Sequence, residues 1–434
     1  MAISDEVRAD LKSLLDATAD RALAVRWNFY AGAHPKIYAT PKLRETFKGL
    51  ADSFDENYCG LAVNSRLSRL EVIGWSGPNA EQAQQVWEDS SLPRRQSRLW
   101  RYALVHARAC LVADVEDGRA PLLKINKATL AYAEPKADDP DALAWLGKVW
   151  AESKTVTRAT LMYPEETVRL VTQGKRNDLS RWDVDPEDPG GRNPLAAVPG
   201  VQFSPYDEGQ PLIDSITGLQ NRINKLAANK FVAAEFGAFR QRVFFTRQEV
   251  TPFDLKNAPD EAIILDPGDT DAAARVQEMA ATELSNYDNA KNAEVDALFT
   301  IATLPRHMRV NPGSPPSGDA IKADEGPFVE AIRDLHNQLG STLVEAMALL
   351  GIDAEPIWRD PTVANELTQA QTVQTLVDSG MPVGALMERY AGWTEEEVTK
   401  AQAQATQVTA NTAGSAVGAA LLGAFNAPGV PTGP

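Results

Sequence analysis

The side chains that most often perform catalysis are few and scattered in this sequence of 434 residues. Its four histidines stand singly, at His34, His106, His307 and His336. The sequence contains no G-x-x-x-x-G-K-[ST] phosphate loop, no H-E-x-x-H zinc motif, no G-x-S-x-G nucleophile elbow and no Cys-x-x-Cys pair. We therefore predict that the protein is not an enzyme and needs no metal or cofactor. A hydrolase without a recognisable motif stays as the weaker alternative.

The remaining reactive groups have simpler interpretations. Cys59 and Cys110 are the only cysteines, so no disulfide framework is needed, and a reducing compartment is the simpler assumption. We interpret both as small buried apolar side chains. The adjacent carboxylates Glu165 and Glu166 are interpreted as solvated charges and not as an acid-base pair.

Charge limits the kind of partner. The net charge is −16 and the isoelectric point is near 4.8. Proteins that grip nucleic acid present an excess of lysine and arginine, so we expect any contact with DNA to be weak. No apolar run approaches the ~20 residues that span a bilayer, and the N-terminus lacks the pattern of a signal peptide. We expect no membrane contact.

The first half of the chain predicts a mixed body of helices and strands over residues 1–210. Ser4 is a candidate N-cap for one helix through about Phe29. The other expected elements are a helix over 57–75 that runs into a strand at 70–75, a helix over 96–108, strands at 109–116, 121–125, 128–134, 155–163 and 166–172, and a Pro/Gly-rich linker over 183–211. Helices followed by a cluster of short strands are typical of an α+β fold, here mostly helical.

Two long amphipathic segments follow, 211–238 and 272–304. Apolar residues recur every three or four positions in both, and at 1.5 Å per residue each helix would reach roughly 40–50 Å. Stripes of that length indicate that one subunit cannot cover them alone. Between them, two β-rich runs predict a small sheet within 239–271. Arginines come first in that segment, at Arg240, Arg242 and Arg247, and acidic residues follow, so the charges either are solvated or match across subunits.

After the second helix, Leu304-Pro305 ends the pattern, and residues 305–317 predict an exposed loop. This loop carries Arg306, His307 and Arg309. A third helix is predicted over 318–350, with a kink at Gly326-Pro327 because proline removes a backbone hydrogen bond. An extended segment over 351–362, a helical region over 363–405 and a weakly structured tail over 406–434 complete the chain.

Several of these segments, in this order, resemble the portal protein of tailed double-stranded DNA phages. The segments are Tyr30–Pro35, Asn57–Leu67, Val72–Trp75, Pro211–Val243, Pro315–Lys322, Trp358–Pro361, Gly380–Pro382 and Gly392–Glu397. Together they cover about residues 4–405.

The resemblance implies a ring of identical subunits, usually twelve, at one capsid vertex, through which DNA is packaged and ejected. Its implied partners are further copies of the chain, the DNA, the terminase motor, the major capsid or scaffold protein and head-tail connector proteins. Residues 1–210 would form the wing, 211–238 and 272–304 the stem, and 239–271 the clip, with contacts through Arg240, Arg242 and Arg247. Residues 305–317 would be the tunnel loop, 318–350 the channel helix, 351–362 the return to the wing, and 363–405 the crown.

The resemblance also implies a location in the virion, with assembly in the host cytoplasm. Arg306, His307 and Arg309 are then candidates for close contact with DNA, and their alternative is an exposed loop with ordinary charges. Another oligomeric minor head or scaffold protein would share most of these features.

Overall fold

The structure is a computed structural model. It describes residues 3–35, 56–115, 119–140, 142–206, 209–238, 242–245, 263–265, 275–278, 283–309 and 318–362, together with 379, 399 and 400. Residues 1–361 and 362–434 are separate compact units, and almost all described residues belong to the first. The predicted loop over 305–317 is described only to Arg309 and the predicted helical region over 363–405 only at 379, 399 and 400, while the predicted tail over 406–434 lies outside the described residues. Among the described helices none is long and apolar enough to cross a bilayer.

The N-terminal segment forms two helices, α1 (Asp5–Thr18) and α2 (Arg21–Ala31), where the sequence predicted one. Ser4 caps α1 as predicted, accepting a hydrogen bond from Val7 N. The break follows because Asp20 caps a second helix, with its carboxylate accepting from Ala22 N at 2.9 Å. A local side-chain cap therefore divides a continuous apolar pattern.

Three helices follow in the body: α3 (Tyr58–Leu67), α4 (Ala80–Asp89) and α5 (Leu92–His106). The prediction missed α4 and placed the start of α5 four residues too late, at Gln96. It also continued α5 to Arg108, whereas Ala107 has a φ of 60° and ends the helix. A left-handed residue cannot continue a right-handed helix.

The strands form three sheets in the body. The strands are β1 (Val72–Ser76), β2 (Ala109–Asp114), β3 (Leu122–Lys127), β4 (Ala131–Pro135), β5 (Leu143–Ala151), β6 (Thr157–Met162), β7 (Glu166–Thr172), β8 (Asp183–Val184), β9 (Gly190–Arg192) and β10 (Gly200–Phe203). An antiparallel meander runs β4-β5-β6-β7-β8, with β9 also on β7, and a second sheet has the order β10-β2-β3. The prediction missed β5, and the segment predicted as a linker over 183–211 instead contributes β8, β9 and β10 to these sheets.

The long helices are α6 (Leu212–Ala238), α7 (Ser285–Ile301) and α8 (Gly318–Ala348). Between α6 and α7, β11 (Arg242–Phe245) pairs in parallel with β12 (Ile263–Leu265) and antiparallel with β13 (Arg275–Glu278). The predicted small sheet is confirmed. The predicted helix from 272 is wrong in its first part, because residues 275–278 instead satisfy their backbone groups by pairing with β11.

The apolar stripe of α6 is covered by the same chain over its first half. Ile213, Ile216 and Ile223 are fully buried, and Val295 and Leu298 of α7 lie in the same core cluster. Helices α3 and α8 contribute to that cluster. The expectation that one subunit cannot cover the stripe is therefore wrong for this part, because the body itself packs around the base of the hairpin.

The last described strand closes the body. Helix α8 ends before Gly351, whose φ of 72° suits glycine, and β14 (Glu355–Trp358) then pairs antiparallel with β1. Pro327 lies inside α8. The kink at Gly326-Pro327 stays a prediction. Mixed helices and sheets are confirmed as the fold class.

Candidate functional site between the long helices

The candidate site begins where α7 ends. Thr303 adopts a φ of 50°, and Leu304 N donates to Phe299 O at 2.8 Å while Thr303 N donates to Thr300 O at 3.1 Å. These two bonds form a Schellman end, in an unusual case where a β-branched residue takes the left-handed position. Leu304 is buried, so the chain leaves the helix at a fixed point. Pro305 then starts a short 3-10 turn over Arg306–Met308.

His307 is bound to the first turns of α8. Its backbone N donates to Asp324 Oδ2 at 3.1 Å, and its ring Nδ1 lies 3.3 Å from the same oxygen. Its ring Nε2 lies 3.5 Å from Glu325 Oε1. The imidazole therefore sits between two carboxylates.

Arg309 is bound to α7. Its guanidinium forms an ion pair with Asp296 and donates to Asn292 Oδ1 at 2.8 Å. Arg306 is exposed, and within the described residues it has no ion-pair partner. Of these three predicted residues, His307 and Arg309 thus lie against carboxylates, and only Arg306 has no ion-pair partner among the described residues.

These groups share an open cavity of about 490 Å³. Its lining consists of Asp296, Phe299, Thr300, Thr303, Leu304, Arg306, Arg309, Asp324 and Pro327. Two cations and two carboxylates therefore face one space, which makes it a balanced polar recess and not a strongly positive one. Pro327 is part of this wall, so the predicted kink position adjoins the predicted cation segment.

Two arginines that the sequence analysis did not single out hold this junction together. Arg66 of α3 is only 5% exposed, and its guanidinium donates to Ala62 O at 3.1 Å and to Ala302 O at 2.7 Å. It also lies over the Phe328 ring, 5.4 Å from the centroid. Burial lowers the pKa of Arg66. A cation on the last carbonyls of α7 is stabilised by the partial negative charge of a helix C-terminus.

The second is Arg69, which forms an ion pair with Glu325 at 3.2 Å and donates to the carbonyl of Pro361. Glu325 is 5% exposed, and this ion pair gives the buried carboxylate a cationic partner. No sequence signal identifies either arginine, because their contacts lie more than 200 residues away along the chain.

A buried polar network fixes the base of the hairpin. The side-chain carbonyl of Gln220 accepts from Tyr58 N at 2.8 Å, and its amide donates to Glu56 O at 2.6 Å. Asn224 Nδ2 lies 3.0 Å from His34 Nδ1. Because both amide side chains are fully buried, they bond the start of α3 to one face of α6. His34 thus takes part in this buried network.

The other histidines are also part of the packing. His106 is stacked on Trp27, and burial together with Arg108, Arg26 and Lys127 lowers its pKa to about 4. His336 stacks on Trp358 at 4.6 Å and donates to Arg69 O, and burial lowers its pKa.

The cysteines and the carboxylate pair fit their predicted roles. Cys59 and Cys110 are fully buried, and burial raises the pKa of each to about 12, which disfavours the reactive thiolate. Glu165 and Glu166 are exposed. Among the described residues there is no group of side chains that could hold a metal ion.

Of the three arginines predicted to make clip contacts, the structure describes only Arg242. The backbone of Arg242 lies in β11, paired in register with Glu278. Arg240 and Arg247 lie outside the described residues.

No protein-family model matches the chain. The portal protein of Mycobacterium phage D29 is 25% identical to it over 360 residues, which cover 75% of this chain and 73% of that protein. The portal protein of Mycobacterium phage L5 is 23% identical over 412 residues, covering 87% and 83%. Among solved structures, a chain from the virion of a native gene transfer agent particle has a TM-score of 0.48 and 11% identity, over 90% of this chain and 99% of that one. That structural similarity is too low to bear on function. The two sequence relatives confirm that this chain resembles phage portal proteins along most of its length.

Proposed function

We propose that this protein is a phage portal subunit, which forms a ring at one capsid vertex and carries double-stranded DNA through its centre. The observation that supports this most is the similarity to two portal proteins over 75% and 87% of the chain. In this assignment 1–210 is the wing, α6 and α7 are the stem, the β11-β12-β13 sheet belongs to the clip, and α8 is the channel helix. The virion is its location, and the terminase, capsid or scaffold, and connector proteins are its partners.

The negative net charge of the chain fits a channel through which DNA slides. Tight phosphate contacts would stop DNA from sliding, and a chain with a net charge of −16 makes few of them. The candidate site agrees with this, because His307 and Arg309 are already bound to carboxylates. A role without catalysis is also compatible with the described histidines and cysteines, which are buried in the packing except for His307, held between two carboxylates.

Electron microscopy of the purified protein tests the ring directly. We expect closed rings with a central hole, usually of twelve subunits. Capsids that contain these rings should then package DNA only when the terminase is present. Protein that stays monomeric at physiological salt and high concentration would contradict the proposal.

Arg306 is the residue we propose for DNA contact. It is exposed and has no ion-pair partner among the described residues, and a ring would repeat it around the axis. Arg306→Ala should change the salt dependence of DNA passage while rings form normally. Arg309→Ala is the matched control, since Asp296 already neutralises that cation. Equal effects of the two substitutions would argue against a special role for Arg306.

The channel-helix bend can be tested at Pro327. Proline inside a helix costs about 3 kcal/mol relative to alanine, so its presence there suggests that the bend is used. Pro327→Ala should leave ring formation intact and slow DNA packaging. Packaging at the wild-type rate would show that the proline has no role in transport.

A further inference from the structure

Two adjacent helices of the body carry opposite charges. Helix α4 has three carboxylates, at Glu81, Glu88 and Asp89, and no lysine or arginine. Helix α5 has four arginines and no aspartate or glutamate; they are Arg94, Arg95, Arg98 and Arg101. The two helices are separated only by Ser90 and Ser91. Acidic and basic residues are thus segregated onto two neighbouring helices.

The spacing places each set on one helix face. Arg94, Arg98 and Arg101 follow the i, i+4, i+7 pattern and span about 10 Å along the axis. The opposite face of α5 is buried, with Leu99, Trp100 and Ala103 fully inaccessible, so the orientation of the helix is fixed. On α4, Glu81 and Glu88 have the same seven-residue spacing.

These charges are not neutralised within the part of the subunit that the structure describes. None of the four arginines forms an ion pair there, and the Nε of Arg101 is buried without a hydrogen-bond partner. On α4, Glu88 and Asp89 accept only from the neutral amides of Gln84 and Gln85, at 2.6 and 2.9 Å. Like charges three or four residues apart on a helix repel each other, so a carboxylate surface docked on α5 would relieve that repulsion.

The arginine face continues into exposed aromatic surface. Tyr102 of α5 lies 6.2 Å from the ring of Trp27, which is 37% exposed. Arginine and aromatic residues are enriched in protein-protein interfaces. A nucleic acid fits less well, because phosphates along α5 would also approach the carboxylates of α4.

We propose that the arginine face of α5 docks on the acidic face of α4 from a second copy of this chain. A second copy carries the carboxylates that α5 lacks and the arginines that α4 lacks, so the two faces are complementary to each other. The inference rests on the proposed ring and adds which surfaces of neighbouring subunits meet.

Charge reversal tests the contact. One variant carries Arg94→Glu with Arg98→Glu, and the other carries Glu81→Lys with Glu88→Lys. Assembly is followed by mass photometry over a range of protein concentrations at about 0.1 M salt, where the Debye length is ~10 Å. Each variant alone should raise the concentration for half-assembly about tenfold or more. An equal mixture of the two should assemble again, because their faces are complementary.

The control is Arg8→Glu with Lys12→Glu on α1, which matches the arginine variant in its change of net charge, in exposure and in the spacing of the two positions. It should assemble like the wild type, and all variants should keep the wild-type melting temperature in high salt. Reversal variants that assemble at the wild-type concentration, or a mixture that does not recover, would overturn the contact. Wild-type protein that forms no oligomer would instead overturn the proposed ring.

Discussion

The segment after α7 and the exposed face of α5 both gather basic side chains, but among the described residues only the first pairs any of them with carboxylates. Arg309 lies on Asp296, and His307 lies between Asp324 and Glu325. The arginines of α5 have no such partners among the described residues. The same residue types therefore hold the fold together in one region and remain available in the other.

The two regions also treat a histidine differently. His307 has two carboxylates as neighbours, whereas His106, the last residue of α5, is near Arg108, Arg26 and Lys127. Cationic neighbours and burial keep the imidazole of His106 neutral. Three basic side chains thus lie near the buried end of α5.

The largest loss of stability should come from replacing Arg66, the buried cation beside the segment after α7. Arg66→Met should lower the free energy of unfolding by about 3–4 kcal/mol, because two charge-assisted hydrogen bonds of about 1.5–3 kcal/mol each are lost. Denaturant unfolding followed by tryptophan fluorescence measures this. Arg66→Lys should recover little, since an ammonium lacks the planar fork that reaches both carbonyls. A loss below about 1 kcal/mol would show that Arg66 is not needed there.

The next largest loss of stability should come from acid, which acts on the region around His106. The folded pKa of His106 is about 4, below its ordinary value of 6.5. Its neutral form is favoured by the fold, so this contribution is complete above pH 6.5 and is lost as the pH falls towards 4. The loss should reach about 2–3 kcal/mol. His106→Gln should reduce the fall in stability over that window, measured as the difference between the two proteins. Identical pH profiles would contradict the assignment.

A smaller effect is expected at the carboxylate that holds His307. Asp324→Ala should lower stability by about 1 kcal/mol, because the backbone N–H and ring of His307 lose their acceptor. Asp334→Ala, at an exposed position on the same helix, is the control and should be neutral. If both substitutions have the same effect, the contact with His307 contributes nothing measurable.

The smallest effect should be found on α5. Arg94→Ala with Arg98→Ala should change the stability of the unassembled subunit by less than about 0.5 kcal/mol, since neither arginine has an ion-pair partner in the described structure. Thermal unfolding in high salt measures this. A clear loss of stability would mean that these arginines serve the fold, and the contrast between the two regions would disappear.

The sequence predicted elements well where the apolar repeat is regular. Helices α6 and α8 show that repeat. Helix α4 was missed because its ten residues include few apolar side chains, of which Ala83, Val86 and Trp87 are buried. Residues 275–278 were assigned to a helix because Val276 continues the spacing of α7, yet they pair with β11, more than 25 residues away. Pairing partners that distant leave no local signal.

The same limit applies to the candidate site. The sequence identifies Arg306, His307 and Arg309 as neighbours, but their charge state as a group depends on Asp296 and Asp324, from two different helices. Spacing along the chain could not show that these acids turn towards the segment. The charge sorting on α4 and α5 was present in the sequence, and the structure adds that these charges have no ion-pair partners among the described residues.

The pairing of β1 with β14 places a constraint on the timing of folding. Residues 72–76 pair with residues 355–358, about 280 positions later. At a synthesis rate of about 5–20 residues per second, roughly 15–55 seconds pass between the synthesis of β1 and that of β14. Trp100 likewise lacks this contact until Trp358, whose ring lies 5.3 Å from it in the folded body, has been synthesised. A nascent subunit therefore exposes an unpaired strand edge and an uncovered aromatic surface until residues 355–358 have been synthesised, and this is the period in which contacts with other chains must be prevented.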